Sequence, residues 1–181
     1  YRFVPRIQEK KVLLCGGRIS YRLLKELPAG VTLIDRPNPT ALMKAVKNPT
    51  EMENLRKAHL MDGIAVTRFM YWLKKNVGKI PMTELSAANY LESLRRQEEH
   101  FIEPSFETIC AYGANGAIVH YSAAAGSCAQ IRPEGLLMVD SGGHYLEGTT
   151  DITRTFVLGA VTREMKEHFT LVLRAMLNLK S

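Results

Sequence analysis

The sequence has little of what would place it in several large functional classes. Cysteine is scarce. Cys15, Cys110 and Cys128 are the only three, and no two stand in a C-x-x-C spacing. That excludes a disulfide scaffold or a thiolate metal knuckle as the organising device, and buried free thiols are expected. Acidic residues are outnumbered by basic ones, 18 to 24, which gives a net charge of +6 and a pI near 9.3. Yet the basic residues come only in short pairs such as Lys10-Lys11, Lys74-Lys75 and Arg95-Arg96. Nothing approaches the ~5–6 like charges of a basic arm, so the charge reads as a scattered, solvated surface. No nucleic-acid partner is expected. No apolar run approaches the ~18 residues of a membrane span. Residues 1–11 lack the apolar stretch of a signal peptide. A cytoplasmic protein with no membrane partner is expected. Internal repeats and low-complexity segments are also missing.

What is present is enough to build a core: 46% of residues are hydrophobic and 23% charged, the balance of a soluble globular chain. The first segment reads as strand, helix, strand: Val12 to Cys15, Ser20 to Leu27, Val31 to Ile34. That is an α/β unit too small to stand as a domain alone. A boundary is expected at Lys47-Asn48-Pro49-Thr50, dividing the chain into 1–46 and 47–181. Thr50 and Glu53 have the spacing of a capping box ahead of a long helix. On that helix Leu55, His59, Asp62, Val66, Phe69 and Leu73 fall on one stripe, which makes His59 a core histidine. A second helix from Thr83 turns Leu85, Ala88, Leu91 and Leu94 inward and Arg95, Arg96, Glu98 and Glu99 to water. Strands follow at Thr108 to Tyr112 and Ala117 to Tyr121, flanking an Asn-Gly turn, then at Leu136 to Asp140 and Ile152 to Leu158. A last helix from Thr162 carries Met165, Phe169, Val172, Leu173 and Met176 on its inner face. The fold class is α+β: helices, an antiparallel meander, a helix.

Asp140 carries the most chemical information. The apolar strand Leu136-Leu137-Met138-Val139 delivers it into Ser141-Gly142-Gly143. A carboxylate there is costly unless something positive meets it. The bland alternative is an Asp that caps its own turn. Asp151 shifts the balance. It opens the next strand, and a short loop lets the two carboxylates converge. Carboxylates at close range repel, and a divalent cation relieves that. Oxygen donors favour Mn²⁺, Mg²⁺ or Ca²⁺ over thiolate metals. Thr149, Thr150 and Thr153 offer hydroxyls to support such ligands. Arg154 either faces solvent or pairs with a carboxylate of the site. His120, at a strand end beside Tyr121, is open between ligand, substrate donor and core histidine. His144 is expected on an exposed loop tip.

Two stretches are similar to one family. They are Ser105-Phe106-Glu107-Thr108-Ile109 with Ala111-Tyr112-Gly113-Ala114-Asn115-Gly116-Ala117 and His120-Tyr121, and Leu137-Met138-Val139-Asp140-Ser141-Gly142-Gly143-His144-Tyr145 followed by Glu147-Gly148-Thr149-Thr150-Asp151-Ile152-Thr153-Arg154-Thr155. They resemble the catalytic domain of aminopeptidase P, the Xaa-Pro aminopeptidase branch of the M24B metallopeptidases. The resemblance implies the first half of a pita-bread (creatinase/aminopeptidase) fold at 47–181, preceded at 1–46 by the end of a creatinase-like N-terminal domain. It implies that Asp140 chelates one metal ion and Asp151 bridges two, usually Mn²⁺. It makes His120 catalytic, lining the substrate pocket with Tyr121, and gives Thr153 and Arg154 supporting roles behind the ligands. His144 stands where the family often has Gln.

The implied reaction removes the N-terminal residue from proline-containing peptides, with proline second, by attack of a metal-bridging hydroxide on the scissile carbonyl. The family's further ligands, a His and two Glu, have no counterpart before Ser181. The sequence starts at Tyr1 and stops inside a helical pattern, so a longer protein is expected and the chain alone is expected to be inactive. Exposed sheet edges invite pairing with another copy, and a homodimer is expected. Two other readings remain: a prolidase-type Xaa-Pro dipeptidase, and a non-catalytic pita-bread binding domain.

Overall fold

The computed structural model describes residues 1–180, with side chains through residue 179. The chain divides into two compact units, Tyr1–Pro49 and Thr50–Ser181. In the first, β1 (Lys11–Leu14) and β2 (Thr32–Asp35) pair in parallel around the short helix α1 (Tyr21–Lys25). Ser20 caps α1, its hydroxyl accepting from the Leu23 amide at 3.4 Å. One helix was not legible in the sequence. α2 (Pro39–Ala45) follows β2, with Pro39 in its first turn and the Asn38 side chain accepting from the Thr40 amide at 3.0 Å.

The second unit is built on two helices and two small sheets. α3 (Pro49–Asn76) starts earlier than the capping-box reading allows: Pro49 is already helical and Thr50 lies inside the helix. Its buried stripe is Ala58, Asp62, Ala65, Phe69 and Leu73. His59 is exposed, with its ring nitrogen 2.8 Å from the Leu55 carbonyl, so the expectation of a core histidine fails by one step of helix phase. α4 (Glu84–Arg95) has the reciprocal capping box of Thr83 and Ser86.

β3 (Phe101–Pro104) and β4 (Ile109–Tyr112) come next, then β5 (Leu136–Ser141), β6 (Gly143–Tyr145), β7 (Gly148–Thr149) and β8 (Ile152–Val157). One sheet has the order β3-β6-β7 and the other β4-β5-β8, every pairing antiparallel. The core lies between α3, α4 and the second sheet. It gathers Phe69, Leu73, Leu91 and Leu94 against Cys110, Leu137, Val139 and Phe156. Phe69 meets Phe156 edge-on at 5.8 Å. Each such side chain contributes about 1.5–3 kcal/mol through burial.

Ala117 to Tyr121 is not a strand. Gly113–Ala117 form a 3₁₀ turn and 118–129 run as irregular loop. Of the cysteines, Cys110 is buried, Cys15 and Cys128 are partly so, and all three are free. The final helix α5 (Arg163–Lys180) stays open to solvent along its described length, with Met165 38% and Val172 70% exposed. Its residues Met165 and Phe169 share a groove with Leu136 and Val157, on the face of β5 and β8 turned away from the core.

Candidate metal centre

β5, β6, β7 and β8 form one long hairpin that keeps a single register. Asp140 pairs Thr153 and Ser141 pairs Ile152, and the same register resumes where His144 pairs Thr149 and Tyr145 pairs Gly148. The tip is the two-residue turn Leu146-Glu147. Between the two ladders Gly142 comes opposite Asp151. A Cβ at Gly142 would lie 2.0 Å from the Thr150 carbonyl oxygen and 2.4 Å from Ser105 Oγ, so only glycine lets the strands approach here.

Side chains alternate across a strand, so the register sorts the hairpin into two faces. Burial follows it, alternating between half-buried and buried from Leu136 to Ser141 and again from Gly143 to Tyr145.

The rear face is pinned from behind. The Ser141 hydroxyl accepts from Arg95 Nη2 at 3.0 Å, and Arg95 Nε donates to Asp62 Oδ1 at 2.6 Å. The Tyr145 hydroxyl donates to the same Asp62 oxygen at 3.0 Å. Burial, and then the neighbouring Asp62 charge, push the Tyr145 phenol well above its ordinary range. The Asp62–Arg95 pair is almost wholly enclosed, at 2% and 1% exposure. This corrects the expectation that Arg95 faces water: the arginine at the end of α4 is among the most buried side chains in the molecule. Thr150 locks the backbone from the same side, its hydroxyl accepting from the Gly143 amide at 2.9 Å.

The front face carries Asp140 and Thr153, and continuing the register past the N-terminal end of β8 assigns Asp151 to it as well. The Thr153 hydroxyl donates to Asp140 Oδ1 at 2.8 Å, which orients one carboxylate oxygen and leaves the other available. Asp151 sits two positions before Thr153, the diagonal neighbour of Asp140, at a typical separation of about 7–8 Å. His144 lies in β6, half-buried, not on a loop tip. It is on this same face, with its ring nitrogen 2.8 Å from Thr149 Oγ1.

The remaining candidates have contacts of their own. Arg154 pairs Val139 in the ladder, so alternation turns it to the rear face, away from Asp140; its Nη1 donates to the Thr153 carbonyl at 2.8 Å. Of the two readings of Arg154, the pairing with a site carboxylate is not formed and the side chain is exposed. His120 is exposed, at φ 55° in the left-handed region, in the turn closed by the Tyr121 amide on the Ile118 carbonyl at 3.2 Å. Tyr121, expected to face substrate, commits its hydroxyl to Glu84 Oε2 at 2.7 Å. Glu84 itself was missed by sequence reasoning. An acid in the first turn of a helix reads as ordinary dipole complementation, and nothing local marks it as fully buried.

The donor chemistry of the front face suits a hard divalent cation: carboxylate oxygens on one face, a hydroxyl fixing one of them, and a rigid backing. Two carboxylates form one flank of such a site. Among the described residues no group of three or more His, Cys, Asp or Glu side chains could hold a metal ion.

The fold and the braced hairpin can be compared with those of known proteins. The profile of metallopeptidase family M24 matches residues 53–180, and the chain belongs to that family. It is 39% identical over 166 residues to a probable Xaa-Pro aminopeptidase P of Sclerotinia sclerotiorum, across 91% of this chain and 28% of that protein. It is 40% identical over 169 residues to mouse Xaa-Pro aminopeptidase 2, across 93% of this chain and 25% of that one. Thus the chain spans about a quarter of the length of these relatives, 28% and 25%. Among solved structures it is similar to the X-prolyl aminopeptidase of Caenorhabditis elegans, described as a cytosolic enzyme with a di-nuclear active site. That likeness has a TM-score of 0.72 at 31% identity, covering 77% of this chain and 23% of that one. The prolidase of Pyrococcus horikoshii has the same fold, with a TM-score of 0.73 at 24% identity over 94% of this chain and 47% of that one. The fold is α+β and corresponds to part of the pita-bread fold of the aminopeptidases.

Proposed function

We propose that this chain supplies one flank of the catalytic centre of an Xaa-Pro aminopeptidase. The observation that carries the reading is the shared front face of the hairpin, with Asp140 and Asp151 on one side and the Thr153 hydroxyl bonded to Asp140. Asp140 would hold one ion and Asp151 would bridge two, with Mn²⁺ the metal in question. When bound, the ions supply Lewis acidity, lowering the pKa of water and polarising the scissile carbonyl. The chain's own residues do the rest. Thr153 keeps Asp140 aimed. The Asp62–Arg95 pair stiffens the hairpin through Ser141 and Tyr145. His120, exposed at the turn of its loop, is the group available to hydrogen-bond the carbonyl oxygen of a peptide whose second residue is proline.

Residues 1–46 are read as the end of a creatinase-like N-terminal domain and 47–181 as the first half of the catalytic domain. The cytosolic description of the nematode enzyme supports a cytoplasmic location; no described helix is long and apolar enough to cross a membrane. A homodimer is part of the same reading. A second reading, an Xaa-Pro dipeptidase, is compatible with the same fold, which the prolidase shares. The sequence relatives favour the aminopeptidase.

The protein containing this chain, loaded with Mn²⁺, should release the first residue from an Xaa-Pro-Xaa tripeptide and act poorly on the free Xaa-Pro dipeptide. The reverse preference supports the dipeptidase. Cleavage of neither by fully loaded protein overturns both. The 181-residue chain alone should bind metal weakly and turn over nothing.

A further inference from the structure

Between β4 and β5 the described chain makes its longest excursion without an α-helix or a strand, and His120 lies in it. Around His120 the backbone bonds are local turns: the Ile118 amide on Asn115 at 3.1 Å, Tyr121 on Ile118 at 3.2 Å, Cys128 on Ala124 at 3.0 Å; only the returning end is anchored elsewhere, the Glu84 amide on Ala129 at 3.2 Å and the Ile131 amide on Met82 at 2.8 Å. A left-handed conformation at a residue other than glycine costs about 1–2 kcal/mol, and local turns alone do not enforce it at His120.

A single side chain gathers the two ends and the middle of this excursion. Glu84 has no exposed surface. Its Oε1 accepts from the Tyr112 amide at 2.6 Å, where the chain leaves β4, and from Asn115 Nδ2 at 2.9 Å. Its Oε2 accepts from the Tyr121 hydroxyl at 2.7 Å, from Asn115 Nδ2 at 3.2 Å, and from the Ala129 amide at 2.7 Å, where the chain returns. Asn115 Nδ2 also donates to the Tyr121 hydroxyl at 3.1 Å, so the side chains on either side of His120 are tied to each other as well as to the acid. Every partner is a donor, and only a carboxylate satisfies such a set. An amide in its place would turn an NH₂ group onto other donors. Burial alone would raise the Glu84 pKa. The bonds from Tyr112, Asn115, Ala129 and Tyr121 outweigh it and hold the acid below its ordinary value, so the clamp is charged at neutral pH.

We propose that Glu84 is a positioning residue for His120, holding residues 112–129 on one carboxylate so that the imidazole is presented in a single conformation. The chemical use of that conformation rests on the aminopeptidase reading; the clamp itself rests on the contacts above. The test compares Glu84→Gln and Tyr121→Phe with the parent by amide hydrogen exchange and by steady-state kinetics on an Xaa-Pro peptide. In Glu84→Gln, exchange across 112–129 should quicken by about tenfold or more while Val139 and Phe156 in the sheet stay protected. Tyr121→Phe loses only the phenol's bonds and should loosen 118–124 by a smaller factor. If Glu84→Gln also loses protection in the sheet, Tyr121→Phe decides by the same criterion. Loop exchange like the parent's in both variants overturns the clamp. In fully metal-loaded enzyme, kcat for Glu84→Gln should fall about tenfold with KM nearly unchanged, the pattern of an interaction made in the transition state. A parental kcat with a loosened loop overturns the positioning role. If the parent does not cleave the peptide, the aminopeptidase reading fails, and exchange alone decides the clamp.

Discussion

The hairpin from Leu136 to Val157 and the loop from Gly113 to Ala129 are held by opposite means. The hairpin is held by its backbone: one register from β5 through the tip to β8, with each side chain's face fixed by alternation. The loop has almost no ladder and depends on one buried acid, Glu84, contributed from another element. A ladder distributes its stability over many bonds, so single side-chain losses are tolerated. A clamp concentrates it, so one substitution or one proton is felt across the whole segment. The carboxylates of Asp140 and Asp151 stand on the first kind of structure and His120 on the second.

The sharpest way to break this contrast is to attack the hairpin where it too relies on one contact. Arg95→Met strands Asp62 without its partner in an enclosed site and should cost about 3–5 kcal/mol in urea unfolding, the largest effect expected here. Next comes Gly142→Ala. Its Cβ would fall 2.0 Å from a backbone oxygen that has no rotamer to retreat into. A stability loss of about 3 kcal/mol with a weakened metal site is expected from thermal unfolding and metal titration. Thr153→Val should divide the two properties. Metal affinity should drop about tenfold or more by calorimetry while stability changes by less than about 1 kcal/mol. Arg154→Met, one residue along but on the rear face, should leave affinity unchanged.

The smallest effect separates the two regions by pH. Glu84 titrates below the ordinary glutamate value of 4.5 in the folded chain. A depressed acid contributes stability that is complete above the unfolded value and is lost as pH falls through the folded one. Hydrogen exchange in 112–129 should therefore quicken below pH 4.5, ahead of the sheet amides. At the other extreme, burial and the Glu84 charge push the Cys110 thiol up to about 12. Its raised value means the thiol's contribution is full below its ordinary 9.0 and fades as pH rises above it.

The same contrast explains what could be read from the sequence. β5 and β8 were legible because an apolar run and a clean alternation each imply one geometry, and Asp140 and Asp151 inherit their side of the sheet from it. α3 was legible in extent, but its phase slipped: counting from Leu55 put His59 in the core, where packing instead selects Ala58 and Asp62. Arg95 was assigned to water on residue type, yet Asp62, a helix away, and Ser141 in the sheet pay for its burial. The Asn115-Gly116 pair reads locally as a hairpin turn, and Ala117 to Tyr121 as its second strand. The structure departs from this because Asn115 and Tyr121 bond to Glu84, a partner no local pattern contains. Arg154 was placed by its neighbours in sequence, and alternation sends it to the other face.

The central claim is that the front face of the hairpin, Asp140 with Asp151, is where a divalent cation sits. Titrating Mn²⁺ into isotopically labelled protein and following paramagnetic broadening tests it most directly. Signals of Asp140, Asp151 and Thr153 should broaden first, and Asp151→Asn should abolish the effect. Broadening spread evenly over surface acids such as Glu53 and Glu164, or unchanged by Asp151→Asn, would contradict it.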